Sequence, residues 1–300
     1  MGAYITRAMR AFAVWASDRP VRLVVLTVLS AHLLAPVAAA LLIVDALRRG
    51  PGPASLAAAA AIAGLIALSM LLGAELAVTL SLAAPVVIGG AAIGALLRWA
   101  RSLSLTFQGT VMGVIVVTVI AFLVVPDAGR VGEILQGQVL TLLETGGAGA
   151  EQLAQFAAVD SAEFVRVFLI SILLSLAVAL MLGLWWYSLI REGIDFGAEF
   201  RALKLGRVAG IALMLLVIVG QLTSITLIQD LAPLAVIGFL FQGLAVLHAR
   251  RYSDKWPRAV LVVVYLALLS PWTVAALMAV SAVGLLDNFF ELRTRVETKA

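Results

Sequence analysis

Few polar side chains of this 300-residue chain lie inside its apolar runs, and those few are the first candidates for chemistry. Gln221 sits in "LMLLVIVGQLTSITLIQD" and Gln242 in "GFLFQGLAVLHARR". At a rise of about 1.5 Å per residue the two amides reach a similar depth on consecutive helices. They are expected either to hydrogen-bond each other across the helix pair or to face a shared cavity. Thr223, Ser224, Thr226, Gln229 and Asp230 continue the polar run outward. Such a run suits a water-filled vestibule, and it also suits ordinary solvation at the interface. Glu75, in "LLGAELAVTL", falls at the turn between two apolar runs. Within the membrane a carboxylate is costly and marks a site; at the surface it is a solvated turn residue. Gln221, Gln242, Glu75 and Thr226 are the candidate ligand-binding residues.

A second group lies at helix ends. Asp287 and Glu291 are four residues apart and share a helix face, in "SAVGLLDNFFELRTR". Near a helix C-terminus carboxylates oppose the macrodipole and need cationic partners. Arg250, Arg251 or Lys255, on the same membrane side, are expected to supply them. Together with Phe196 and Glu199 of the 191–207 loop, these residues form either a charged collar or a cytoplasmic docking contact.

Catalytic patterns are missing. The chain has two histidines, His32 and His248, and no cysteine. No HExxH, Walker A loop, GxSxG elbow or dinucleotide fingerprint occurs. Without cysteine there are no disulfides, thiolate metal sites or thiol nucleophiles. His32, four residues before Pro36, suits a carbonyl freed by a proline kink better than a metal, since no second strong ligand is nearby. His248 belongs at the cytoplasmic interface. The expectation is a protein that is not an enzyme and holds neither cofactor nor metal.

The elements that must position these residues follow from hydropathy. The chain is 63% hydrophobic and 13% charged, against about 45–50% and about 25% in soluble domains. Apolar runs of about 20 residues recur, so the fold expected is all-α: a polytopic transmembrane bundle. About seven to eight membrane segments are expected. They lie near 21–47, 54–72, 74–97, 105–125, 166–190, 208–228, 231–247 and 258–286, the first and last broken at Pro36 and Pro271. Each broken segment is either one kinked span or a hairpin of half-length helices.

Basic residues orient the segments. Arg48/Arg49, Arg98/Arg101, Arg191 to Arg207 and Arg250 to Arg258 are expected to be cytoplasmic. Residues 127–165 hold six acids against Arg130 alone, and are expected outside as an amphipathic insert of two short helices. Residues 1–19, with Arg7 and Arg10 among Ile5, Met9, Phe12 and Trp15, suit a helix lying in the cytoplasmic interface. A single transmembrane domain over 20–290 and a charged cytoplasmic tail over 291–300 complete the organisation, with both termini cytoplasmic. The net charge of +4 reflects these loops and implies no nucleic-acid partner. The expected partners are the bilayer of a bacterial inner membrane and other membrane proteins.

Three stretches carry a resemblance. "FQGLAVLHARR" (241–251), "GLLDNFFELRTR" (284–295) and "WWYSLIREGIDFGAEFRALKLGR" (185–207) resemble the YybS-like family of bacterial membrane proteins, a family of unknown function. That family is distantly similar to the substrate-binding S components of energy-coupling-factor transporters. The resemblance implies a helical bundle that binds an unidentified small molecule and pairs with a coupling subunit. Ala31, Ala35 and Ala39 would stand in for the surface that meets this subunit. The alternative is a structural or assembly factor of the envelope that acts through protein contacts.

Overall fold

The computed structural model describes residues 2–73, 76–124, 128–253 and 256–293, with side chains except at 2–5, 32, 77–78 and 128–129. The described chain is all-α. Its helices are α1 (Gly2–Asp18), α2 (Pro20–Leu33), α3 (Ala35–Arg49), α4 (Pro51–Leu72), α5 (Leu76–Ala100), α6 (Leu103–Val124) and α7 (Ala128–Thr145). There follow α8 (Ala150–Ala157), α9 (Ser161–Ile190), α10 (Phe196–Arg201), α11 (Arg207–Leu222), α12 (Thr226–Ser253), α13 (Arg258–Leu268) and α14 (Thr273–Phe290). Six stretches are long and apolar enough to cross a membrane: 51–72, 79–100, 103–124, 161–190, 226–253 and 273–290. Shorter apolar helices cover 20–31, 207–222 and 258–268. The chain is a multi-pass helical membrane protein. It divides into two compact units, residues 1–101 with 116–194, and residues 102–115 with 195–300.

In the first unit α3 is the core. Every residue from Ala38 to Leu47 is buried. The helix ladder breaks at Leu34, and Pro36 opens α3 at a position where its missing N–H costs nothing. The chain then returns on itself. Arg48, at the far end of α3, bonds the Ser17 hydroxyl and pairs with Asp18 at 3.1 Å, just before α2 begins. Helices α2 and α3 are thus two antiparallel arms of about 21 Å and 22 Å at the helical rise.

Glycines let other helices reach α3. A Cβ on Gly90 of α5 would stand 2.7 Å from the Ala39 Cα, and one on Gly94 would stand 2.9 Å from the Ile43 Cα. A Cβ on Gly183 of α9 would meet Ile43 Cγ2 at 2.8 Å. Close backbone approach replaces the hydrophobic drive that a lipid solvent cannot provide. The end of α3 is capped from both neighbours. The Leu47 carbonyl accepts from Arg98 at 2.7 Å and from the Tyr187 hydroxyl at 3.5 Å.

The 127–165 stretch folds as two helices. Gln136 of α7 donates to the carbonyls of Phe156, Ala157 and Val159 at 2.9–3.2 Å, which ties α7 to the end of α8. Asp160 then caps α9 by accepting from the Ala162 N–H, so this helix starts five residues before the apolar run does.

In the second unit α12 is the core, with Leu231, Ala232, Leu234, Ala235 and nearly everything through Val246 buried. Helix α14 runs parallel to it: the Ser281 hydroxyl bonds the Val236 carbonyl, and Gln242 bonds Asp287. Contact is made through two glycines. A Cβ on Gly243 would stand 2.0 Å from the Val280 oxygen, and one on Gly284 would stand 2.0 Å from the Phe239 oxygen. The sixth apolar segment ends earlier than hydropathy suggests. Helix α11 stops at Leu222, where Thr223 is extended. The Thr223 hydroxyl accepts from the Ile225 N–H, and its carbonyl accepts from Gln229. Part of the polar run that resembled a vestibule lining is therefore a turn bonded to itself.

Gly90→Val is expected to lower the melting temperature of the purified protein by several degrees, since overpacking costs about 1–3 kcal/mol and the clash is with backbone. Gly113→Ala, where a Cβ meets nothing within 4 Å, is expected to be neutral. Thermal unfolding in detergent checks both.

Candidate functional site

The greatest concentration of buried polarity lies in the second unit, where α12, α14 and the link between α10 and α11 converge. Gln242 is fully buried. Its Nε2 donates to Asp287 Oδ2 at 3.0 Å, and its Oε1 accepts from the Leu205 N–H at 3.0 Å. Asp287, 1% exposed, faces Arg293. Arg293 Nη2 and Nε reach Asp287 Oδ2 at 2.6 Å and 3.1 Å. The same guanidinium donates to the carbonyls of Arg201 and Leu203. One amide and one guanidinium, both held on the Asp287 carboxylate, therefore bind three backbone groups of the 201–205 segment.

Local structure explains why these residues meet. Helix α14 ends at Phe290, and Glu291 takes a left-handed conformation (φ 46°, ψ 55°), so the chain turns back. That turn carries Arg293 onto the carboxylate six residues behind it. Residues 202–206 lie between helices, so their backbone groups need partners from elsewhere. Gln108, on the part of α6 that belongs to this unit, donates to the Lys204 carbonyl at 3.1 Å, and the Ser104 hydroxyl accepts from the Lys204 N–H. Asn288 packs on α11, where a Cβ at Gly210 would strike its Nδ2 at 1.9 Å. The Asn288 amide nitrogen has no hydrogen-bond partner.

Several expectations need correcting. Gln221 and Gln242 are not paired: Gln221 is exposed, while the Gln242 amide is bonded to Leu205 and Asp287. Asp287 pairs with Arg293 rather than Arg250 or Arg251. Arg250 donates instead to the Leu292 carbonyl, and Arg251 is half-buried near the end of α12. The reason is geometric: the left-handed turn at Glu291 brings the nearest guanidinium from the same segment. Being buried, Asp287 offers no docking surface. Glu291 faces Arg207 at 3.8 Å, and both are largely exposed.

Thr226 is exposed at the start of α12. Phe196 stacks on Phe200 at 6.0 Å, Phe200 meets the His248 ring edge-on at 5.3 Å, and His248 Nε2 lies 3.0 Å from the Tyr265 hydroxyl. Glu199 is exposed beside them. Glu75, Lys255 and the His32 side chain lie outside the described residues. No group of three or more His, Asp or Glu that could hold a metal occurs among the described residues.

In the first unit one polar residue escaped the sequence reading. Asp45 is wholly buried, bonds Arg49 through one oxygen and has no partner for the other. An acid within an apolar run, four residues before an arginine, is a visible signal.

No family model matches the sequence, and neither a curated protein nor a solved structure aligns with it.

Removing one member of a buried ion pair typically costs about 3–5 kcal/mol, because the other charge stays buried and alone. Arg293→Ala is expected to destabilise the protein by that order. Arg293→Lys should restore little, since an ammonium cannot form the same fork. Asp287→Ala with Arg293→Ala is expected to cost clearly less than the two single losses added together. Denaturant unfolding in micelles checks the cycle.

Proposed function

We propose that this is a non-enzymatic protein of the bacterial cytoplasmic membrane, YybS-like in architecture, that serves as a docking subunit for another protein. Its contact surface is the arginine-rich end of the second unit, on the cytoplasmic side. One observation carries this reading: the 201–205 backbone is held by Gln242 of α12 and by Arg293 of the turn that follows α14. The short helix α10 just before it is thereby presented on a fixed support. Around it Glu199 and Tyr252 are exposed, and Arg201 lies 4.1 Å over the Tyr252 ring. Rigid presentation of aromatic and arginine side chains lowers the entropy lost when a partner binds.

The three stretches that resemble the YybS-like family contain Gln242, Gly243, Gly284, Asp287, Arg293 and the 196–205 segment. These same residues build the network, which supports an architectural role for them. The cytoplasmic placement of this end rests on its basic residues. The α2–α3 hairpin is read the same way: both its ends carry arginines, so it enters from the cytoplasmic side and returns.

A second reading keeps the S-component-like role, with a small molecule bound near Gln221 and Thr226. The exposure of both residues beside the α11–α12 turn favours it. In that case the docked partner is a transporter coupling subunit.

A photo-crosslinking residue placed at Glu199 or Tyr252 in intact cells is expected to give a discrete adduct with one protein. Gln242→Leu should weaken that adduct while the chain remains in the membrane. Absence of any adduct from both positions would overturn the docking role. Adducts with a coupling subunit, together with a copurifying small molecule lost in Gln221→Leu, would select the second reading.

A further inference from the structure

The arginines at the basic end of the first unit fall into two sets. Three on the bundle are engaged, Arg48 with Ser17 and Asp18, Arg49 with Asp45, and Arg98 with the Ala46 and Leu47 carbonyls, while Arg101 just after α5 is exposed. Those on α1 and the start of α2 are not engaged in this way. Arg7, Arg10 and Arg19 are exposed, and Arg22 lies over the Trp15 ring at 5.2 Å. None of the four forms an ion pair among the described residues. Asp18, next to Arg19 in the chain, pairs with Arg48.

Helix α1 is held firmly. Ala13, Ala16 and Ser17 are buried, and Phe12 meets Trp186 edge-on at 5.5 Å. Trp15, whose ring centroid lies 6.4 Å from that of Phe12, remains 48% exposed. On α2, Val21, Val25, Leu29 and Leu33 are exposed at a four-residue spacing. They form one apolar ridge roughly 18 Å long.

We propose that this corner holds an anionic phospholipid, its phosphate on Arg19 and Arg22 and an acyl chain along the α2 ridge. A guanidinium fork matches a phosphate's oxygens. The Trp15 ring is suited to the headgroup level, and stacking on it orients the Arg22 guanidinium. One molecule that carries both a phosphate and a long apolar chain satisfies the whole surface. A free phosphate would leave the ridge uncovered. The proposal rests on the membrane placement but not on the docking role of the second unit.

The test uses the full chain in phosphatidylcholine nanodiscs that contain a fixed fraction of brominated lipid, either phosphatidylglycerol or phosphatidylcholine. Bromine quenches tryptophan at short range, and subtracting a Trp15→Phe variant isolates Trp15. Quenching of Trp15 is expected to favour brominated phosphatidylglycerol, by about fivefold in local enrichment for each arginine engaged. The preference should vanish in Arg19→Ala/Arg22→Ala.

In the wild type it should also collapse at about 1 M salt, where the Debye length is ~3 Å. That second measurement does not depend on how a variant folds. Equal quenching by both lipids would overturn the proposal. So would a preference that survives either the double substitution or high salt. No quenching by either lipid would mean that something other than lipid covers Trp15, and would overturn it as well.

Discussion

The closure of Arg293 over Asp287 is the interaction on which the second unit depends. A carboxylate removed from water must be paired and hydrogen-bonded or it neutralises. Here it receives a guanidinium and an amide, and each donor does more than neutralise charge. The guanidinium continues to two carbonyls of the 201–205 segment, and the amide accepts from a third backbone group there. Three segments far apart in sequence are thereby brought to one point. The glycines belong to the same arrangement. With side chains at 243 and 284 the α12 and α14 backbones could not approach, and Gln242 would not reach Asp287.

The first unit solves its problem with less charge. Helix α3 is buried throughout its middle, so its own ladder satisfies its backbone and only its last carbonyls are exposed to need. Arg98 and Tyr187 come from neighbouring helices to meet them. Glycines at 90, 94 and 183 bring those helices near enough. Both units thus pair a close glycine contact with polar capping nearby. This follows from the solvent: without a hydrophobic drive between helices, shape and hydrogen bonds have to supply the adhesion.

Much of this architecture is legible in sequence. Long apolar runs mark the helices, because lipid demands about 20 such residues per crossing. Pro36 and Gly50 mark the breaks at the ends of α3, where geometry forbids continuing. Helix α7 is visible in the amphipathic spacing of its apolar residues. Gln242 and Asp287 stand out because polar residues in apolar runs are few. Their partners do not stand out. Leu205 and Leu203 contribute only backbone atoms, and no residue type advertises a carbonyl left over by a loop. Arg293 is visible as a cation, but its pairing depends on a left-handed turn at Glu291, a residue that seldom adopts one. Equal depth along two helices also says nothing about facing, which is why Gln221 and Gln242 looked like a pair.

That distinction governs how intramembrane polarity should be interpreted here. A polar group at depth must find partners, and a folded chain can provide all of them. When it does, as for Gln242, the residue is explained by architecture and no ligand is needed to account for it. A functional reading then has to rest on groups the fold leaves unspent. In the second unit those are the aromatic and charged side chains around α10, which the closed network supports without using. In the first they are the arginines of α1 and α2, beside Arg48, Arg49 and Arg98, which the bundle engages. Partners enter the argument where the protein's own pairing stops, and in each unit that boundary lies at the arginine-bearing end.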